Sequence, residues 1–174
     1  AFENVFIHAF TDGRDTDPQG GAEYLQDLID HMDATTGRIA SVIGRYFAMD
    51  RDKRWERVAR AYHLLVNGKG TATQDIVGAV KAQYSVGTTD EFMEPLFVAN
   101  EAGAPLATIK ENDVVLVFNF RTDRGREITE VLTQKDFPEH NMRALKLHYV
   151  TMTSYDDTFK GVEVVFRKDN LSNT

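Results

Sequence analysis

Apolar residues along this chain alternate between short dense runs and stripes at helical spacing, and their order predicts the elements. The run Val5-Phe6-Ile7-His8-Ala9-Phe10 predicts a first strand over about residues 4–10. Asp17-Pro18 reads as an N-cap with proline in the first helical turn. Ala22, Leu25, Leu28, Ile29 and Met32 then form a helical stripe. Gly37 marks a turn into a second strand, Ile39–Ile43. Trp55, Val58, Ala59, Tyr62, Leu65 and Val66 recur at helical spacing, and Gly68 is placed to end that helix. Thr71 with Gln74 reads as a capping box for another helix, carrying Ile76, Val77, Val80 and Tyr84. Residues 85–113 contain Pro95, Pro105, Gly87 and Gly103 and predict only short strands and turns. The densest run, Val114–Phe120, predicts a strand buried on both faces, leading into a helix near 125–134. Two more strands are expected near 146–152 and 162–166. Strand, loop and helix thus recur three times. That order predicts an α/β domain of three layers, α/β/α, with a largely parallel or mixed sheet and ligand loops at the carboxyl ends of strands.

Composition narrows the classes. At 174 residues the chain can bury the core of one domain, and its 42% hydrophobic and 27% charged residues are ordinary for a globular protein. A net charge of −7 argues against a nucleic-acid binder, although a local positive pocket remains compatible with it. With no cysteine there is no disulfide and no thiolate metal site. No apolar run approaches the roughly 20 residues of a membrane span, and no signal-like segment is present. The cytoplasm is the expected compartment, and a monomer the expected state. The first strand starts almost at residue 1 and the polar stretch Lys168–Thr174 follows the last, which reads as a domain excised from a longer protein.

Three polar motifs follow predicted strands: Asp12-Gly13-Arg14-Asp15, Gly44 through Asp52, and Phe120-Arg121-Thr122-Asp123-Arg124. Ligands of open α/β sheets collect beyond the carboxyl ends of strands, so three such loops can aim arginines at one spot. Guanidinium forks match carboxylate and phosphate oxygens two at a time, which points to a small, multiply charged anion. Arg14 is placed to clamp an anion, with Asp15 beside it to exchange a proton. A plain Asp-Gly turn with a local ion pair is the competing reading. Arg45 and Arg51 stand at opposite ends of a loop, with Asp50 and Asp52 placed to hold Arg51; alternatively Asp52 caps the helix of Trp55. Arg121 and Arg124 sit at a helix start, where backbone N–H groups also favour anions. Arg126 is expected to be exposed. His8, His31, His63, His140 and His148 lack metal-ligand spacing, with His8 the one nearest a motif, and no phosphate-binding glycine loop or nucleophile elbow occurs. Asn170-Leu171-Ser172 fits a glycosylation sequon without a secretory context.

The segments His8–Thr16, Gly44–Trp55 and Asn119–Arg124 together resemble the cofactor-independent phosphoglycerate mutases, as do Tyr149–Thr153 and Lys168–Leu171. The resemblance implies an enzyme of glycolysis and gluconeogenesis that interconverts 3-phosphoglycerate and 2-phosphoglycerate. Such enzymes have a phosphatase domain, with a nucleophilic serine and two metal ions, usually manganese, and an inserted phosphotransferase domain. Residues 1–174 look like most of the latter. The implied partners are the glycerate substrate and the phosphatase domain of the same parent chain, with no nucleic acid and no membrane. By motif, Arg14, Asp15, Arg45, Arg51, Arg121 and Arg124 correspond to substrate-binding residues, with Asp15 the implied acid/base and Arg121 and Arg124 the pair reaching the phosphoryl group. No metal ligand is implied within this chain. Thr122 and Gly125 depart from the proline and alanine common in the family, and Asp17 from a second proline. The family's substrate-binding histidine, serine and metal ligands have no match here, so the chain alone is expected to be inactive. A non-catalytic module for small phosphorylated or carboxylate anions is the alternative.

Overall fold

The computed structural model describes residue 2 and residues 4–167, so the expectations for Lys168–Leu171 and for the Asn170 sequon lie outside the described residues. In chain order its strands and helices are β1 (Phe6–Thr11), α1 (Gly21–Asp33), β2 (Arg38–Gly44), α2 (Arg45–Ala48), α3 (Trp55–Asn67), β3 (Thr71–Thr73) and α4 (Ile76–Ser85). There follow β4 (Leu96–Val98), β5 (Val114–Val117), α5 (Thr122–Thr133), β6 (His148–Thr151) and β7 (Val162–Val164). The α/β class holds, but the strands divide between two sheets. The first has the order β1-β2-β4-β3 and is mixed, with β4 antiparallel to β2; the second, β5-β6-β7, is parallel.

The first sheet is the middle of three layers. On one face Leu25 and Met32 of α1 and Ile76 and Val80 of α4 pack with Ile39, Val42 and Leu96. On the other, Val58, Tyr62 and Leu65 of α3 pack with Ile43 and Phe97. That second cluster continues through Ile128, Val131 and Leu132 of α5 to Val115, Val117 and Tyr149, so one core joins the two sheets. Apolar stripes at helical spacing produce this arrangement, because each buries one face against a strand.

Four local expectations are corrected. Val114–Phe120 is not buried on both faces. Helix α5 covers one side, while Val114, Leu116, Phe118 and Phe120 are exposed, Phe118 by 77%. Thr71 caps no helix. Thr71–Thr73 pairs as β3 beside β4, and Asp75 caps α4 by accepting the Gly78 N–H at 2.8 Å. Asp17-Pro18 forms a turn, with the Gln19 N–H bonded to the Asp17 carboxylate at 2.8 Å, and α1 starts four residues later at Gly21. Its first N–H is taken by the buried Asp90 Oδ2 at 2.7 Å, a partner from a distant segment. Asp52 does not cap α3; Asp50 accepts the N–H groups of Asp52 and Arg54, both at 3.0 Å. Gly68 does end α3, at φ 63°, in the left-handed conformation glycine adopts without penalty. Among the described residues no helix is long and apolar enough to cross a membrane.

Candidate functional site

Each arginine motif starts at the carboxyl end of a strand or just beyond it: β1 leads to Asp12, β2 to Arg45, and β5 through residues 118–121 into α5. The first two loops are locked together by a 3-10 turn, Asp90–Phe92. Thr11 Oγ1 donates to the Asp90 carbonyl at 2.7 Å, and the Gly44 N–H donates to the Met93 carbonyl at 2.8 Å. Gly13 and Gly44 permit this closeness: a Cβ on Gly13 would lie 2.6 Å from Glu91 N, and one on Gly44 2.4 Å from Glu91 O. The Asp90 carboxylate receives the Gly21 N–H and the Tyr84 hydroxyl, so the turn is itself anchored from two helices.

Arg45 is the centre of the closed side. It is 3% exposed, and its Nη1 lies 2.6 Å from Asp12 Oδ1 and 2.9 Å from Asp15 Oδ2. Asp12 Oδ1 also accepts the N–H groups of Arg14 and Asp15, at 3.0 and 2.9 Å, which closes the loop around the guanidinium. Burial pulls Arg45 down, but the hydrogen bonds to Asp15 and Asp12 outweigh it and raise the group above the usual arginine range. Asp15 is held below the usual carboxylate range by the Arg45 hydrogen bond against a small desolvation, and by the charges of Arg45 and Arg121.

The open side is different. Arg51 Nη1 pairs with Asp123 Oδ2 at 2.9 Å, and Arg121 Nη1 reaches Asp15 at 3.0 Å; both arginines are about half exposed. Arg124 donates to the Met49 carbonyl at 2.8 Å, while its buried Nε has no hydrogen-bond partner among the described residues. Desolvation and the charges of Arg45, Arg51 and Arg121 push Arg124 below the usual arginine range, with Asp123 opposing them. Like charges gathered this closely are costly without an anion between them.

A cavity of about 180 Å³ lies between the two sides. Arg14, Arg45, Arg51 and Arg124 all line it, so four of the five motif arginines converge. Arg121 is not on the lining and reaches the site through Asp15. Arg14 is the loosest held, with its side chain 59% exposed and its one ion pair among the described residues a long one, to Glu91 at 3.9 Å. Asp50 and Asp52 do not hold Arg51 as expected. They pair with Arg54 at 3.4 and 2.6 Å, because the chain turns back at Lys53, φ 58°, and brings Arg54 over both carboxylates.

Two further lining arginines, Arg54 and Arg57, were not singled out by motif. Their i, i+3 spacing at a helix start is the signal that finds them, since it puts both on one face. Asp90 and Glu127 carried no such signal. Arg126 is exposed as expected, though its Nε donates to the Tyr155 carbonyl at 3.0 Å. Gly125 has a local explanation: a Cβ there would overlap the Tyr155 ring, which leaves room for a hydrogen only. His8 serves the sheet, with Nδ1 2.7 Å from Ser41 Oγ, and burial lowers it to about 4, leaving it neutral. Among the described residues no three of His, Asp and Glu gather to hold a metal ion, and an arginine-lined cavity does not fit one.

Residues 1–157 match the family model described as BPG-independent PGAM N-terminus. The chain is 56% identical over 172 residues to the 2,3-bisphosphoglycerate-independent phosphoglycerate mutase of Flavobacterium johnsoniae, covering 99% of this chain and 34% of the relative. It is 53% identical over 173 residues to the protein of that name from Bacteroides thetaiotaomicron, with the same coverage. In structure it is similar to Leishmania mexicana phosphoglycerate mutase, solved at low cobalt concentration, with a TM-score of 0.78 and 30% identity over 88% of this chain and 30% of the other. The chain thus spans about a third of the length of these relatives.

Proposed function

We propose, since this chain belongs to the BPG-independent phosphoglycerate mutase family, that it is most of the phosphotransferase domain of a two-domain enzyme. In this reading it holds the glycerate while 3-phosphoglycerate and 2-phosphoglycerate interconvert, a cytoplasmic step of glycolysis and gluconeogenesis. The carrying observation is the convergence of Arg14, Arg45, Arg51 and Arg124 on one small cavity in an acidic chain. A carboxylate and a phosphate on a three-carbon frame are the kind of anion such a cavity would balance. Arg121 and Arg124, at the start of α5, are assigned to the phosphoryl group. Arg14, Arg45 and Arg51 are assigned to the rest of the glycerate.

Asp15 is the proposed acid/base. Without ligand its carboxylate is engaged by Arg45 and Arg121. A ligand oxyanion that takes over those guanidinium groups frees Asp15 and restores its basicity. It can then carry one proton through the cycle, giving it to the glycerate oxygen that loses the phosphoryl group and taking one from the other hydroxyl as that attacks. The serine nucleophile and two metal ions, manganese in this reading, belong to a phosphatase domain outside these residues, and the parent acts as a monomer. Arginines that neutralise the moving charge are what phosphoryl transfer asks of this half.

Backbone amide shifts during titration of the purified chain with 3-phosphoglycerate test the site. Shifts confined to residues 12–15, 45–54 and 121–124 are expected, with no mutase turnover by the pure chain. No shifts at millimolar ligand would sink the idea of a self-sufficient binding site. A non-catalytic anion module is favoured by one observation, the clamping of Asp15 by two arginines. Turnover by the full-length parent separates the two readings.

A further inference from the structure

The loop that carries Arg51 and Arg54 is shaped by two carboxylates that arrive from different elements. Asp50, 5% exposed, holds the N–H groups of Asp52 and Arg54 with Oδ2. Glu127 of α5, 4% exposed, takes the N–H of Lys53 with Oε1 at 2.7 Å. Lys53 is one of three described non-glycine residues at positive φ, a conformation that needs an external tie. Three consecutive backbone donors therefore go to this pair of acids.

Because Asp50 takes the N–H groups of residues 52 and 54 and Glu127 the one between them, the two buried carboxyl groups lie side by side under one short loop. Glu127 Oε2 is buried and has no hydrogen-bond partner among the described residues, so with both groups ionised it would be a bare charge beside that of Asp50. An orphaned charged oxygen is among the more costly features a core can contain. A single proton resolves it. We propose that Glu127 is a positioning residue for the arginine pocket, sharing one proton with Asp50 and thereby fixing the Arg51–Arg54 loop. This rests on the reading of the cavity as an anion site.

Several charges face the pair. Arg54 and Arg57 lie 3.4 and 3.8 Å from Asp50 Oδ1, and Arg124 and Glu130 share α5 with Glu127. The cations favour an ionised Asp50, which accepts backbone bonds and stays below the usual carboxylate range although burial opposes it. Burial, with Asp50 and Glu130 adding to it and the Lys53 N–H opposing, lifts Glu127 to about 7. The proton therefore resides on Glu127, which donates to Asp50. Above neutrality it is lost, the carboxylates repel, and the loop loosens.

Glu127→Gln supplies the test, because an amide donates and accepts in the same two directions without titrating. In the 174-residue chain without ligand, the Glu127 carboxyl carbon is followed by NMR from pH 4 to 9, together with the amides of residues 51–54. The expected result is a carboxyl midpoint near neutrality, with those amides shifting in step. In Glu127→Gln the amide step is lost while the low-pH spectrum is kept; in Glu127→Ala the loop amides are displaced at every pH. A Glu127 midpoint in the ordinary carboxylate range, or an undiminished amide step in Glu127→Gln, overturns the proposal. Neither readout needs a ligand, so a failure here leaves the anion-site reading to its own titration.

Discussion

Arg45 and Arg51 stand six residues apart in one motif, yet they occupy opposite kinds of environment. Arg45 is buried at the end of β2, with two carboxylates on one nitrogen. Arg51 is half exposed and holds a single carboxylate from another element. The contrast extends to the sheets behind them. The first is covered on both faces, whereas the second leaves Val114 and Leu116 exposed. A pocket with one rigid wall and one open wall can fix the orientation of a ligand and still admit it. The rigid wall uses charge to hold structure, and the open wall keeps charge available.

Removing the carboxylate between the walls should have the largest effect. In the full-length parent, Asp15→Asn is expected to keep the fold and most binding while lowering turnover by roughly 10²–10⁴-fold. An unchanged turnover number would take Asp15 out of the acid/base role. Arg45→Ala strips the rigid wall and leaves Asp12 and Asp15 without their shared cation. It should destabilise the chain by about 1.5–3 kcal/mol in urea unfolding, the range for hydrogen bonds to charged groups. A smaller loss than Arg51→Ala would mean that the closed side is not the structural one.

Arg51→Lys leaves a charge but not a fork. A roughly tenfold weaker 3-phosphoglycerate affinity with unaltered stability is expected, equivalent to about 1.4 kcal/mol. Wild-type affinity would make Arg51 structural. Stability against pH sharpens the same division. Asp12, Asp15, Asp50 and Asp123 have lowered values, so their contribution is present above the ordinary carboxylate range and lost in acid. Glu127 has a raised value, so its contribution is present in mild acid and lost as pH rises through about 7. Urea unfolding should therefore show a maximum in mild acid, with a decline toward about pH 7 that Glu127→Gln flattens. The smallest effect is expected at the bare face: Leu116→Ser should change the stability of this chain by no more than about 0.5 kcal/mol.

Much of the scaffold was legible in the chain by itself. Stripes such as Val58, Tyr62 and Leu65 determine a helix and its buried face, because apolar side chains 3.6 residues apart can be covered only together. Runs such as Ile39–Ile43 determine a strand for the same reason at a period of two. Local chemistry was also readable, including Gly68 as a helix end and four of the five motif arginines as one group. Tertiary structure alone decided which partner each charge took. Arg51 went to Asp123 and not to its neighbours, and Asp90, in a segment without periodicity, became the brace between two loops. Backbone pairing made Thr71 a strand residue instead of a cap, and among the described residues nothing covers the side of β5 that carries Val114 and Leu116. Hydrophobic burial is written in spacing along the chain, but ion pairs and caps depend on which segments meet in space. The proton assigned to Glu127 is the extreme case, since it exists only because α5 sets one carboxylate against another.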